Sequence, residues 1–128
     1  NSVVPLFKAE SSALWLKSEP QALATAKKEN KIVLIDFYAE WCAPCKELEL
    51  GFFRKKETLA LLEKMVPLRI DATFMEPEVA QVIKKYGVIG WPTIIFVAPD
   101  GKVLNDLTVI SYNPKRLLEN MSKALTGK

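Results

Sequence analysis

The sequence predicts an α/β domain in which a central mixed β-sheet is covered by helices on both faces. Three features of the 128-residue chain carry that expectation. The run "KIVLIDFYA", residues 31 to 39, is apolar on both of its alternating faces, as a strand between two helical layers must be. Val79, Val82, Ile83 and Tyr86 fall at i, i+3, i+4 and i+7, the stripe of an amphipathic helix. The tripeptide "PDG", residues 99 to 101, separates two apolar runs and signals a turn between antiparallel strands.

Residues 1 to 12, "NSVVPLFKAESS", show no clean period and read as an arm or linker, leaving 13 to 128 as a single domain. "ALWL" is a candidate short first strand. Ser18 followed by Gln21 has the spacing of a capping box, with Pro20 in the first turn, so a helix is expected to run to about Asn30 with Ala22, Leu23 and Ala26 inward. After the central strand, a helix should begin at the cysteine motif and weaken near Gly51. A further helix is expected over 56 to 64 and a strand in "VPLRIDA". "TIIFVA" and "KVLNDLTV" are expected to form a hairpin about the turn, and Leu117, Leu118, Met121 and Leu125 the inner face of a last helix. The order is βαβ, then hairpin, then closing helix.

Composition narrows the function. With 49% apolar and 26% charged residues the chain has the make-up of an ordinary soluble globular protein. The net charge of +3 is small and its Lys and Arg are scattered, so no nucleic-acid face is expected. No apolar run approaches the ~18 residues of a membrane span. The first residue is Asn1 rather than Met and no signal peptide is seen, so the chain reads as a processed or trimmed piece that has lost its address. With no histidine, Ser-His and Cys-His nucleophile pairs and His metal ligands are excluded. Two cysteines alone make a poor zinc site, leaving only a zinc shared between two copies as a metal alternative.

Both cysteines, Cys42 and Cys45, stand where a strand gives way to a helix, spaced by Ala43 and Pro44. Free backbone N–H groups and the helix dipole favour an anion there, so Cys42 is the favoured thiolate and nucleophile, with Cys45, one turn further in, as the resolving thiol. The alternatives are a permanent disulfide or a pair of buried, inert thiols. The first is weak because so small a ring removes little unfolded-state entropy. The second fits poorly with Trp41 and Pro44 around a helix start.

Asp36 lies inside the doubly apolar strand, where burial should raise its pKa toward neutrality. There it can take the Cys45 proton during resolution; a hydrogen-bonded acid of structural role only is the alternative. Glu49 is four residues after Cys45 and seven after Cys42, on the same helix face. It reads equally as a solvated helix acid or as a charge that opposes thiolate formation. Glu40 and Glu47 read as surface residues. "GWPT", residues 90 to 93, suits a tight turn before a strand, with a cis bond at Pro92 possible and backbone free to pair with an extended substrate.

The segments "DFYAEWCAPCK" and "YGVIGWPT" resemble the active-site segment and the cis-proline loop of the thioredoxin superfamily, over roughly residues 13 to 126. Within it, "KKENKIVLIDFYAEWCAPCKELE" and "RIDATFMEPEVAQVIKKYGVIGWPT" most resemble the C-terminal periplasmic domains of the DsbD family. The resemblance implies the thioredoxin fold, Cys42 as nucleophile, Cys45 as resolving thiol and Asp36 as buried acid. It also implies Pro92 as the cis-proline, Trp41 as the tryptophan before the motif and Glu49 as an acid helping to hold the thiols protonated. Trp41, Ala43, Pro44, Trp91, Pro92 and Thr93 would form the substrate-binding surface.

Three residues depart from ordinary thioredoxins: Ala43 replaces a glycine, Trp91 a smaller aliphatic residue, and Pro67 a buried lysine. They fit a relay domain better than a substrate of a cytosolic reductase. The implied function is that of a thiol:disulfide oxidoreductase, working as a reductant of extracytoplasmic protein disulfides. It would need no cofactor beyond the Cys42–Cys45 pair, act as a monomer, and draw electrons from a membrane-embedded donor to which the first dozen residues could tether it. A disulfide-forming oxidase or isomerase and a redox-silent binding or chaperone module are the rival readings.

Overall fold

The structure is a computed structural model and describes residues 14–127; the expected arm over 1 to 12 lies outside the described residues. Helix α1 (Glu19–Glu29) begins as its spacing predicts: Ser18 Oγ accepts from the Gln21 N–H at 3.3 Å, and Pro20 lies in the first turn. Asn30 closes it in the left-handed conformation. There follow β1 (Ile32–Tyr38), α2 (Ala43–Leu50), a 3₁₀ turn (Phe52–Arg54), α3 (Lys56–Leu62), β2 (Met65–Asp71), α4 (Pro77–Tyr86), β3 (Thr93–Val97), a second 3₁₀ turn (Asn105–Leu107) and α5 (Pro114–Thr126). Gly87 ends α4 at φ 66°, a conformation in which a side chain would be strained.

The sheet has the order β2-β1-β3, with β1 parallel to β2 and antiparallel to β3. Strand β1 is therefore central, and its two faces fill two cores. Val33, Ile35 and Phe37 meet Val66, Leu68 and Ile70 of β2 and Ala22 and Ala26 of α1. The α4 stripe Val79, Val82, Ile83 and Tyr86 packs on that core without being fully buried. On the other face Leu34 joins Leu48 of α2, Phe52, Phe53, and Leu117 and Met121 of α5. Alternation along β1 puts Asp36 on this second face, under α2.

Two expected strands are reduced. Of "ALWL", the described residues 14 to 16 contribute a single parallel bridge from Leu16 to Leu68, in which Leu16 N–H donates to Pro67 O and Leu16 O accepts from Arg69 N–H, both at 2.9 Å. The same geometry explains Pro67 in a strand. Its nitrogen faces the outer edge, so the ladder to β1 loses no donor. The expected hairpin keeps its turn, but its second arm is broken into isolated bridges, Val97 to Val103 and Ile94 to Val109. Between them Asn105, Asp106 and Leu107 coil into the 3₁₀ turn, and Leu107 O accepts from the buried Asn120 side chain at 2.9 Å. Among the described residues no helix is long and apolar enough to cross a membrane.

Candidate active site

Cys42 is the N-cap of α2 and is joined to Cys45 by a disulfide. Its sulfur accepts from the Cys45 N–H at 3.3 Å, so a free N–H of the helix start is already aimed at that atom. Pro44 follows in the first turn, where its missing N–H costs nothing. The pair is more enclosed than a helix start beside Trp41 suggests: Cys42 is 6% and Cys45 2% exposed. Tyr38 and Ala39 from the end of β1 close one side, and Trp91 packs against the group from the loop before β3. Cys45 Sγ lies 4.0 Å from the carbonyl oxygen of Phe37, next to Asp36 in β1.

Around this buried pair the surface is apolar. Trp41 is 60% exposed, its ring edge-on to Trp91 at 5.7 Å; elsewhere on the surface Ile89, two residues before Trp91, and Phe74, next to Thr73, are nearly bare. Trp41 is pinned from behind by its indole N–H, which donates to Thr73 O at 3.3 Å, while the Glu40 N–H donates to Thr73 Oγ1 at 2.9 Å. The Trp91–Pro92 bond is cis. Pro92 and Thr93 are buried, and the Thr93 hydroxyl donates to Gly90 O at 2.7 Å, holding the loop from within. Ala43 is exposed and Pro44 partly so, at the rim.

The acids behave differently from one another. Burial pushes Asp36 up from the ordinary aspartate value of 3.8 to about 6, with Arg69 beside it pulling back. Arg69 is Asp36's register partner on β2; its Nε donates to Asp36 Oδ2 at 2.9 Å, and its Nη2 lies 2.8 Å from the same oxygen. Its Nη1 lies 3.3 Å from Glu49 Oε1, which joins Asp36 and Glu49 through one guanidinium. That guanidinium stacks between Trp15, at 4.3 Å, and Tyr38, at 4.7 Å from the ring centroids. Burial and a hydrogen bond to Glu40 push the Tyr38 phenol up. Glu40 is held below the usual range by hydrogen bonds from Lys46, at 2.8 Å, and Tyr38. Glu40 and Glu47 are at the surface, as their sequence context suggests.

Arg69, Thr73 and Trp15 were not among the expected site residues. The one local signal for Arg69 is a charge inside the apolar alternation of "VPLRIDA"; its place opposite Asp36 follows from the strand register. Among the described residues no group of three or more Cys, Asp or Glu is placed to hold a metal ion.

A helix-capping cysteine pair, a cis-proline loop beside it and a buried aspartate in the strand that leads to it define a thioredoxin-like domain. The chain belongs to the thioredoxin-like family, whose model matches residues 14–99. Its relatives point to one branch. It is 36% identical over 91 residues to the thiol:disulfide interchange protein DsbD of Vibrio cholerae, covering 71% of this chain and 15% of that protein. It is also 36% identical over 106 residues to DsbD 1 of Pseudomonas aeruginosa, covering 82% of this chain and 18% of that protein. The chain thus spans less than a fifth of these curated relatives. Among solved structures it resembles the reduced DsbD C-terminal domain of Neisseria meningitidis, with TM-score 0.71 and 29% identity over 82% of this chain and 92% of that one. A thioredoxin from Thermus thermophilus, at 22% identity and TM-score 0.74 over 85% of each chain, shares the fold.

Proposed function

We propose that this domain is a thiol:disulfide oxidoreductase of the DsbD type, a reductant that passes electrons to extracytoplasmic protein disulfides by dithiol–disulfide exchange. The observation that carries the reading is Cys42 at the N-cap of α2, bonded to Cys45, whose sulfur lies 4.0 Å from the carbonyl oxygen of Phe37, the residue after the buried Asp36. In the dithiol form Cys42 attacks a partner disulfide, forming a mixed disulfide and releasing one partner thiolate. Cys45 gives its proton to Asp36, directly or through one water, and attacks Cys42; the Cys42–partner bond breaks, the Cys42–Cys45 bond forms and the second partner thiolate leaves. Two electrons have passed to the partner. Trp41, Trp91 and Ile89, with Ala43 and Pro44 at the rim, form the surface on which the partner's extended segment rests, and the backbone at the cis-Pro92 loop is free to pair with it.

The similarity to DsbD proteins supports a membrane-embedded electron donor and a location in the periplasm or an equivalent compartment, with residues 1 to 12 as tether and 13 to 128 as the monomeric working domain. No cofactor beyond the disulfide is required by this chemistry. Incubation of the reduced Cys45→Ser variant with a disulfide-bonded protein should trap a mixed disulfide through Cys42, while the Cys42→Ser variant should trap none. Equal trapping by both variants would remove the assigned roles.

A further inference from the structure

Among the described residues Arg69 is the one cation within ion-pair distance of Asp36. The other charged group acting on that carboxylate is Glu49 from α2, joined to it through Arg69, while the hydroxyl of Tyr38, two residues on in β1, is turned to Glu40. Arg54, from the first 3₁₀ turn, lies 3.9 Å from Glu49. Strand β3 and helix α5 give this core Ile94, Phe96, Leu117 and Met121, and the buried amide of Asn120 on α5 is turned to Leu107 O. Arg69 donates to Asp36 through Nε, its Nη2 stands within ion-pair distance of the same oxygen and its Nη1 within that of Glu49, and the guanidinium lies over two aromatic rings. Lysine could supply the charge at this position but neither the fork nor the stacking.

We propose that Arg69 is a positioning residue for the exchange reaction, clamping Asp36 and Glu49 in one triad so that Asp36 can accept the Cys45 proton at neutral pH. This rests on the reading of Asp36 as proton acceptor given above. A carboxyl buried this deeply and left without a cation would stay protonated, and a protonated acid accepts nothing. With Arg69 in place burial still dominates, but Asp36 stands at about 6, so its carboxylate is the main form at neutral pH. The step balances within the site: the Cys45 thiol proton goes to Asp36, and the Cys45 thiolate attacks Cys42 as the partner leaves. Asp36 then returns the proton to water.

The other end of the triad reaches the surface. Glu49, with its side chain 29% exposed, and Arg69 line a groove of about 1050 Å³ that also takes in Trp15 and Arg54. Neither cysteine, nor Trp41, nor Trp91 lines it.

The test follows the Asp36 carboxyl by ¹³C NMR in the oxidised protein, where the cysteines do not titrate, alongside the pH profile of mixed-disulfide resolution. Arg69→Gln should raise the Asp36 midpoint by about one unit or more, within the range for losing a close opposite charge. Glu49→Gln should lower it, a shift in the opposite direction that remains readable if the Arg69→Gln protein folds poorly. Arg69→Lys should fall between wild type and Arg69→Gln. The resolution profile of Arg69→Gln should move up with the midpoint, and in an Asp36→Asn background Arg69→Gln should move it no further. An unmoved Asp36 midpoint in Arg69→Gln would overturn the inference, as would a moved midpoint with an unmoved resolution profile. Absence of pH-dependent exchange in wild type itself would instead remove the acceptor reading on which the inference rests.

Discussion

Replacing Asp36 with asparagine should stabilise the oxidised domain relative to wild type increasingly as pH rises from acid to neutral. The native carboxyl stands at about 6 against 3.8 for an ordinary aspartate, chiefly because burial disfavours its charge. A group with a raised native pKa holds its proton in the folded state over a range in which the unfolded chain has lost it. Its contribution to stability is full below the unfolded value and is lost as pH rises through the folded one. The window thus runs from about pH 4 to about pH 6. The shift is roughly two units, at about 1.4 kcal/mol each, so the ionised carboxylate costs about 3 kcal/mol above the window.

Asparagine has almost the same shape and does not titrate. It gives up the charge-assisted contact from Arg69, which keeps Glu49 at 3.3 Å as its counter-ion. That loss is an offset, whereas the titration is a slope. Denaturant unfolding of wild type and Asp36→Asn across this pH range measures the slope, because groups remote from Asp36 cancel in the difference. The stability of the variant relative to wild type should rise by about 3 kcal/mol between acid and neutral pH. A difference that stays flat, or that favours wild type increasingly as pH rises, would refute the argument that burial governs Asp36.

Three further outcomes are expected. Brief alkylation of the reduced protein followed by peptide mapping should label Cys42 predominantly, since it caps the helix and Cys45 lies a turn inside it; preferential labelling of Cys45 would reverse the roles. Glu49→Gln should lower the pKa of Cys42, read from thiolate absorbance, because it removes a negative charge from the same helix face; an unmoved value would make Glu49 a bystander to the thiols. Ser18→Ala should cost about 1 kcal/mol in urea unfolding through loss of the α1 cap, and a change near zero would show that the Gln21 N–H is satisfied by water instead.

The parts of the fold that local chemistry dictates were legible in the chain. Residues 31 to 39 are apolar in both alternating sets, and β1 is the strand with helices on both faces. Ser18 and Pro20 mark the start of α1, and the α2 start falls on the cysteine motif. The second arm of the hairpin was misjudged because "VLNDLTV" offers strand-forming residues at its ends and two turn-formers in the middle. Asn105 and Asp106 won locally and left only bridges.

At the site, the raised Asp36 was legible because a charge in a doubly buried strand has few fates. Arg69 was not, since its place opposite Asp36 depends on the register of two strands separated by two helices. The enclosure of the cysteines depends likewise on Trp91, which arrives from a loop far along the chain.

The claim that this domain is a reductant is tested most directly by the reduction potential of the Cys42–Cys45 pair, obtained by equilibration against glutathione or dithiothreitol and counting free thiols. Oxidoreductases of this chemistry run from about −270 mV for thioredoxin to about −120 mV for a strong oxidant. Two carboxylates near the thiols and a helix start worth only about 0.3–1 kcal/mol at an exposed site, up to ~2 when partly buried, leave little net stabilisation of a Cys42 thiolate. The disulfide should then resist reduction, and the potential should lie nearer the thioredoxin end. A potential near the oxidant end would contradict the account and assign the domain to disulfide formation, and the absence of a reversible two-electron couple would leave a redox-silent fold.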